Sequence, residues 1–484
     1  MYPAVEKSKW FGIACAIMLL AVIGAFAYTG EFYLLVIPFA FLFFAYAGLN
    51  WKGIFWILLF TIPASTQLSF AGETMSITLP DEPIMWTLFG IFFLMLARKP
   101  NIIPKWWWRD PLVLIIVLQF LWLIVAVCFS KVPFFSVKFL IAKMWLMTCF
   151  IILPIWVFKE KKDFVKGFVI MLIPMLITML VILIHHAILG FKFARIQDAV
   201  RYIYYNHVDY STVISMYLPF VYIAYRLLKG KSKALRRLFL FLIVFFLIAI
   251  YLSYARAALI AVVFSIAIGL GIRYKVVNYI MPTFYALVIL LVSYMATDNN
   301  YFAFRPDYNS TYMHKDFTNH LLATLRGKDM SSMERLYRWI AAIRMSKDRP
   351  ITGYGPHAFY YYYKPYAVPM FKTYVSRNPE QSTTHNYFLY MLVEQGWPAM
   401  ILYGVLIFMI FYQAQKIYYR FNDRFYKLCT LGIAMCIAAG FINNFFSELI
   451  ETHKVGALFY IPLSLLIILN QKSKEQSEPL IESD

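Results

Sequence analysis

Charge is scarce in this chain: Asp, Glu, Lys and Arg make up 14% of its 484 residues, against ~25% in a soluble domain. That excludes a soluble enzyme and a disordered chain. Cysteine is scarce too. Cys15, Cys128, Cys149, Cys429 and Cys436 all lie in or beside apolar runs. None stands at metal-ligand spacing, so they read as packing residues and exclude a disulfide scaffold. There is no HExxH, no CxxC and no paired-carboxylate motif, so neither metal nor retaining-glycosidase chemistry is suggested. No P-loop or GxGxxG precedes a helix, which argues against ATP hydrolysis and nucleotide cofactors. The expectation is no cofactor and no metal. Internal repeats and low-complexity tracts are also missing.

What is present is apolar. Hydrophobic residues make up 62% of the chain and aromatics 19%, which suits a protein with many membrane interfaces. The expected fold is all-α, a polytopic helical membrane protein with 12–14 transmembrane helices and one large, mainly helical loop. Fourteen runs are long enough, or nearly so, to cross ~30 Å of hydrocarbon. They lie near 10–28, 32–50, 52–67, 82–97, 111–130, 134–158, 164–190, 211–228, 237–254, 256–272, 276–296, 386–413, 425–446 and 454–470. The first follows Lys7 and Lys9 as a signal peptide would. It runs on through Phe26 without a small-residue cleavage site, and so reads as a transmembrane helix.

The net charge of +20 would suggest nucleic acid in a soluble protein. Here the cations sit in short loops. Connections 98–109, 159–162, 226–237, 273–275 and 416–427 hold 4, 3, 6, 2 and 4 Lys and Arg. The alternate connections 28–31, 67–81, 131–133 and 447–453 hold only Lys131. Strict alternation puts every basic loop on one side, the cytoplasm by the positive-inside rule, together with both termini. The charge is therefore a topology signal, and no nucleic-acid partner is expected. Four parts follow: the bundle 1–296, an outer loop subdomain 297–385, further transmembrane helices over 386–470 and a cytoplasmic tail 471–484.

The outer subdomain spans 89 residues. Ser331-Ser332-Met333-Glu334 predicts a capping box opening a helix that runs to about Lys347. Arg349-Pro350 ends that helix, and Gly353-Tyr354-Gly355-Pro356 is a turn. Tyr360–Tyr363 with Tyr366 reads either as an interfacial belt or as a platform for sugar rings. The side-chain chemistry gathers on the same face. Arg195, Arg201, His207 and Asp209 precede the eighth span, and Lys138 and Lys143 lie in the outer half of the sixth. Arg256 opens the tenth span. Arg335, Arg338 and Arg344 lie on the loop helix. His385-Asn386 stands where the loop returns to the membrane, and Glu448 and Glu451 occupy the last outer turn.

A cation at mid-membrane costs ~2.5–3.5 kcal/mol on insertion scales, less near the interface. Arg256 alone would simply snorkel to the headgroups. Several cations on the side that the positive-inside rule depletes suggest an anionic ligand instead. Arginine suits a diphosphate, because its planar fork donates paired hydrogen bonds and stays charged. A neutral His385 can accept a proton from a sugar hydroxyl; an interface histidine bonded to its surroundings is the plainer account.

The run Arg335-Leu-Tyr-Arg-Trp-Ile-Ala-Ala-Ile-Arg-Met-Ser-Lys-Asp-Arg-Pro-Ile-Thr-Gly-Tyr-Gly-Pro-His-Ala-Phe359 resembles the signature of the O-antigen ligase and O-antigen polymerase superfamily. There an Arg and a Trp precede a Pro-x-x-Gly-x-Gly turn. A His-Asn closes the large periplasmic loop, and an apolar helix with Glu-x-Gly follows, here His385-Asn386 and Glu394-Gln-Gly396. The resemblance is strongest over 331–400 and favours the ligase branch. It implies a membrane glycosyltransferase of the C type in the bacterial inner membrane, multi-pass, with its active site facing the periplasm. It implies an undecaprenyl-diphosphate-linked glycan as donor, lipid A–core or another hydroxyl as acceptor, and membrane lipids around it. It also implies two periplasmic arginines on the donor diphosphate and a histidine as base.

Carried over, His385 is the catalytic residue. Arg256 matches the arginine of the family's Ser-Arg turn, with Ala255 where that Ser usually stands. Arg201 matches the first-loop arginine, with Arg195 as competitor. Secondary candidates are Arg335, Arg338, Lys143, Asn386 and Glu448. The alternatives are an O-antigen or exopolysaccharide polymerase, a protein O-oligosaccharyltransferase and, in a different class, a transporter. A transporter would favour charges near the bilayer midplane and paired discontinuous helices, whereas here the polar residues crowd the outer end.

Overall fold

The computed structural model describes residues 46–70, 75–305, 329–373, 376–377 and 382–476. The expected span 10–28 and most of 32–50 lie outside these residues, as does the end of the cytoplasmic tail.

Apolar runs closed by polar caps make the helices. α1 is Trp51–Thr61, extended by a 3-10 turn to Ala64. α2 is Asp81–Arg98. α3, Pro111–Cys128, starts with proline at its first position and Asp110 as N-cap, whose carboxylate accepts from the Leu112 N–H at 2.9 Å. α4, Pro133–Met147, widens into a π turn over Thr148–Ile152 just before Pro154. α5 is Lys161–Ile188 with a Glu160/Asp163 capping box, and α6 is His207–Leu227. α7 is Lys233–Leu252, α8 is Arg256–Arg273 and α9 is Val277–Ala296. Within the expected outer subdomain, α10 is Met330–Asp348. α11 is Tyr387–Arg420, α12 is Arg424–Phe445 and α13 is His453–Glu475.

The twelve helices α1–α9 and α11–α13 correspond to the third through fourteenth expected spans. Among the described residues, nine helices are long and apolar enough to cross a membrane, with Trp51–Ala64 as a shorter one. The protein is a polytopic all-α membrane protein.

Four sequence expectations are corrected. The span 52–67 ends early: Thr66–Phe70 is strand β1, paired antiparallel with β2, Met75–Leu79. The connection 67–81 is therefore largely a hairpin. The helix of span 386–413 continues to Arg420 and breaks at Gly396, where φ is 82° and ψ 179°. The loop helix is capped by Asp329, not by Ser331: the Asp329 carboxylate accepts from the Ser332 N–H at 3.0 Å. Glu334, the expected second half of the capping box, accepts instead from the hydroxyls of Thr373 and Ser376.

α13 and α12 form the centre. Their apolar windows are 94% and 83% buried, against 22% in α7 and 11% in α9. α12 packs along α6 and α8, and α11 packs along α3. The outer helices turn residues such as Leu287, Ile289 and Leu290 outward, as lipid-facing surfaces do. Loop contacts sort by side. On one, Lys161 pairs with Asp423, the Arg424 guanidinium donates to the Arg226 carbonyl and Asn470 donates to Asp110. On the other, Lys454 donates to the carbonyls of Pro63 and Ile203, Asn386 donates to Phe445 and Arg256 reaches Asp329.

Candidate functional site

The end that carries Arg256 gathers most of the charged candidates. Arg256 is the first residue of α8, and its Nη2 donates to Asp329 Oδ2 at 2.8 Å. Asp329 is fully buried. Burial opposes ionisation, but the Arg256 guanidinium and the Ser332 donors hold its carboxyl below the usual range. One carboxylate thus starts α10 and anchors the arginine that starts α8. Sequence reasoning missed Asp329, although an Asp just ahead of a helical run is itself an N-cap signal.

One turn further along α10, Arg335 donates to Ser331 Oγ at 2.6 Å and to the Phe446 carbonyl at 3.3 Å. Burial pushes its pKa down to about 10, and the positive field of Arg256 adds to that. Arg338 donates to Ser382 Oγ at 2.6 Å and to the Thr383 carbonyl at 3.2 Å. It is 5% exposed and lies 3.8 Å from Glu334. Arg256 Nη1 and Arg338 Nε have no acceptor among the described residues. Buried donors without partners cost stability, and an arriving oxyanion would satisfy them.

α10 also shapes the segment that carries His385. The Trp339 indole donates to the Thr384 carbonyl at 3.0 Å, next to the Arg338 contacts. Thr384 Oγ1 donates to the Asn386 carbonyl at 2.9 Å. Asn386 caps α11, accepting from Leu389 N–H at 3.0 Å, and its amide donates to the Phe445 carbonyl at 2.9 Å. Between these anchors His385 takes φ of 51°, a left-handed conformation that costs a residue with a Cβ ~1–3 kcal/mol. Its neighbours hold it there. Nδ1 lies 3.7 Å from Glu448 Oε2, and the ring side chain is 33% exposed. Burial, then Arg338 and Arg335, hold its pKa well below the ordinary value. The imidazole is therefore neutral at pH 7 and able to accept a proton. Burial raises the Glu448 carboxyl as well.

Arg256, Arg335, Arg338, His385, Asn386 and Glu448 are thus joined in one network. Lys143 lies beside it, bonded to Glu451 at 2.9 Å and to the Tyr460 hydroxyl at 2.8 Å. Glu451 also accepts from Tyr387. Nothing local in the sequence pairs Lys143 with a residue 308 positions away. Arg195 and Arg201 stand apart from the network. Arg195 pairs with Asp198 at 2.6 Å, and Arg201 lies over the Tyr202 ring with its Nη2 3.0 Å from the hydroxyl. Both are solvent-exposed.

The Pro-x-x-Gly-x-Gly turn and the Glu-x-Gly of α11 form one joint. The amides of Tyr354 and Gly355 donate to the carbonyls of Val393 and Glu394, each at 2.9 Å, and Trp397 N–H returns to the Pro350 carbonyl at 2.9 Å. The Glu394 carboxylate is fully buried and accepts from His357 N–H at 2.8 Å. Its role is to hold the turn. Among the described residues no group of three or more His, Cys, Asp or Glu could hold a metal ion.

Residues 241–404 match the family described as O-antigen ligase. No curated protein matches. The matched stretch contains Arg256, Arg335, Arg338, His385 and Asn386; Lys143, Arg195, Arg201 and Glu448 fall outside it. Over these residues the match supports the O-antigen ligase and polymerase superfamily without separating its branches, and that family implies, in general terms, a membrane enzyme of the glycosyltransferase kind.

Proposed function

With the membership of residues 241–404 in the O-antigen ligase family as premise, we propose that the protein transfers a glycan from undecaprenyl diphosphate to lipid A–core on the periplasmic side of the bacterial inner membrane. The observation that carries this reading is the network on α10 and its surroundings. Three arginines, two of them (Arg256 and Arg338) with a buried donor left over, stand beside a neutral imidazole in a constrained backbone position.

The chemistry follows from those groups. Arg256 and Arg335 grip the donor diphosphate, with Arg338 behind them. As the anomeric C–O bond breaks, negative charge grows on the departing diphosphate, and the guanidinium forks offset it. His385 takes the proton from the acceptor hydroxyl while that oxygen forms the new bond to the anomeric carbon. Undecaprenyl diphosphate leaves, and a single displacement inverts the centre. Glu448 faces the imidazolium as it forms. Arg201, out on its exposed turn, is a more distant donor contact. The outer subdomain covers the reactants and fixes their approach.

The test is transfer by purified, reconstituted protein from an undecaprenyl-diphosphate glycan to lipid A–core. His385→Ala is expected to lower the rate by ~10²–10⁴-fold, the contribution of a general base, while undecaprenyl diphosphate still binds. Full activity in that variant would remove the assigned role. Arg256→Lys should weaken donor binding, because a point charge does not replace the fork.

A further inference from the structure

A cavity of about 320 Å³ lies between the outer half of α4 and the turn that follows the Pro-x-x-Gly-x-Gly motif. Its volume is at the lower end of ligand pockets, which run ~300–1,000 Å³. That is room for a sugar ring rather than a long glycan. Lys138, His357, Tyr360, Tyr361 and Thr383 are among its walls.

These walls are built and available. Lys138 is exposed, with no hydrogen bond or ion pair among the described residues. His357 stands at φ of 65°, fixed by the bond from its N–H to Glu394. Its ring meets Phe139 edge-on at 5.2 Å and remains exposed. In its neutral form the ring offers one donor and one acceptor. Tyr361 stacks on Phe135 at 5.7 Å, and the two are 48% and 37% exposed. Aromatic faces beside polar hydrogen-bonding groups suit a sugar, which has apolar faces and a polar rim.

The position adds a role. Thr383 belongs both to this cavity and to the arginine network, since its carbonyl accepts from Arg338. His385 is two residues on. Thr383 therefore links the guanidinium cluster to this space. Lys143, Glu394 and Glu451 also line the cavity; Lys143 is already ion-paired with Glu451, which leaves Lys138, among the described residues, as the free cation of those walls.

We propose that this cavity is the acceptor subsite, in which Lys138 and His357 hydrogen-bond the hydroxyls of one acceptor sugar ring and Tyr360 and Tyr361 cover its apolar face. The inference rests on the glycosyl-transfer reading above.

The test measures equilibrium binding of two probes, lipid A–core in nanodiscs and undecaprenyl diphosphate, to the full chain and to Lys138→Met and His357→Asn. Asparagine tolerates the left-handed backbone, so the turn is kept. Each substitution should weaken lipid A–core about tenfold, the loss of one to two net hydrogen bonds, and leave undecaprenyl diphosphate unchanged. Unchanged lipid A–core affinity, with the parent binding it, overturns the subsite and leaves the proposed reaction standing. Weakened undecaprenyl diphosphate assigns the cavity to the donor and overturns it as well. A parent protein that binds undecaprenyl diphosphate but no lipid A–core overturns the ligase reading, and the subsite with it.

Discussion

Arg338 has two tasks that a pH profile separates. It fixes the 382–384 backbone through Ser382 and Thr383, and after burial it is the largest influence lowering the His385 pKa. A base that must be neutral loses activity when it protonates, so the acid limb of kcat/KM lies below ~6.5, the ordinary histidine value. Arg338→Gln removes the charge and keeps a hydrogen-bond donor. The His385 pKa then rises, and the acid limb moves to higher pH; a limb that stays in place would mean that His385 does not govern it. Stability follows the same sign. Below ~6.5 the unfolded chain binds a proton that folded His385 refuses, so stability falls as pH drops through that window. The sequence placed His385 and its arginines on one face by topology and motif. It did not reveal Asp329 as the anchor of Arg256, because Ser331 and Glu334 made a competing capping pattern.

At the scale of the element, the break in α11 decides how the outer subdomain meets the bundle. Gly396 holds a φ of 82°, and a Cβ there would stand 1.8 Å from the Ile351 carbonyl oxygen. A Cβ on Gly353 would stand 2.5 Å from the Glu394 carbonyl carbon, also too close. Backbone-to-backbone approach of this kind leaves room only for hydrogen. Gly396→Ala should cost roughly 2–4 kcal/mol, visible as a lowered thermal midpoint in detergent. Gly404→Ala is the comparison within the same helix. Its Cβ would meet Phe388 at an ordinary 3.6 Å, and the better helix propensity of alanine offsets the added methyl. Equal midpoints for the two variants would refute the joint. Both halves of the joint were legible as separate motifs, Pro-x-x-Gly-x-Gly and Glu-x-Gly. Their pairing was not, because Trp397 to Ile417 stays largely apolar and hydropathy carries no record of φ. The end of α1 was hidden for the same reason: Ile62-Pro63-Ala64 extends an apolar run whose helix has already given way to a 3-10 turn and a strand.

For the whole molecule, the expected topology can be read by labelling. Long apolar runs and basic loops were legible because each span must satisfy its backbone within itself and each loop keeps its charge. The loop contacts sort into the same two sets as the alternation does. Arg256, His385 and the outer subdomain share one set, whereas Lys229 falls in the other. A membrane-impermeant maleimide applied to intact spheroplasts should label Ile351→Cys, which is 63% exposed on the outer subdomain. It should spare Lys229→Cys until the membrane is opened. Both variants need Cys128→Ser, since that native thiol is exposed. Labelling of Lys229→Cys alone would invert the topology. It would put the arginine network on the cytoplasmic side and remove the periplasmic reaction proposed for it. Labelling of Ile351→Cys alone keeps the network, the cavity beside α4 and the lipid-linked donor on the same face of the membrane.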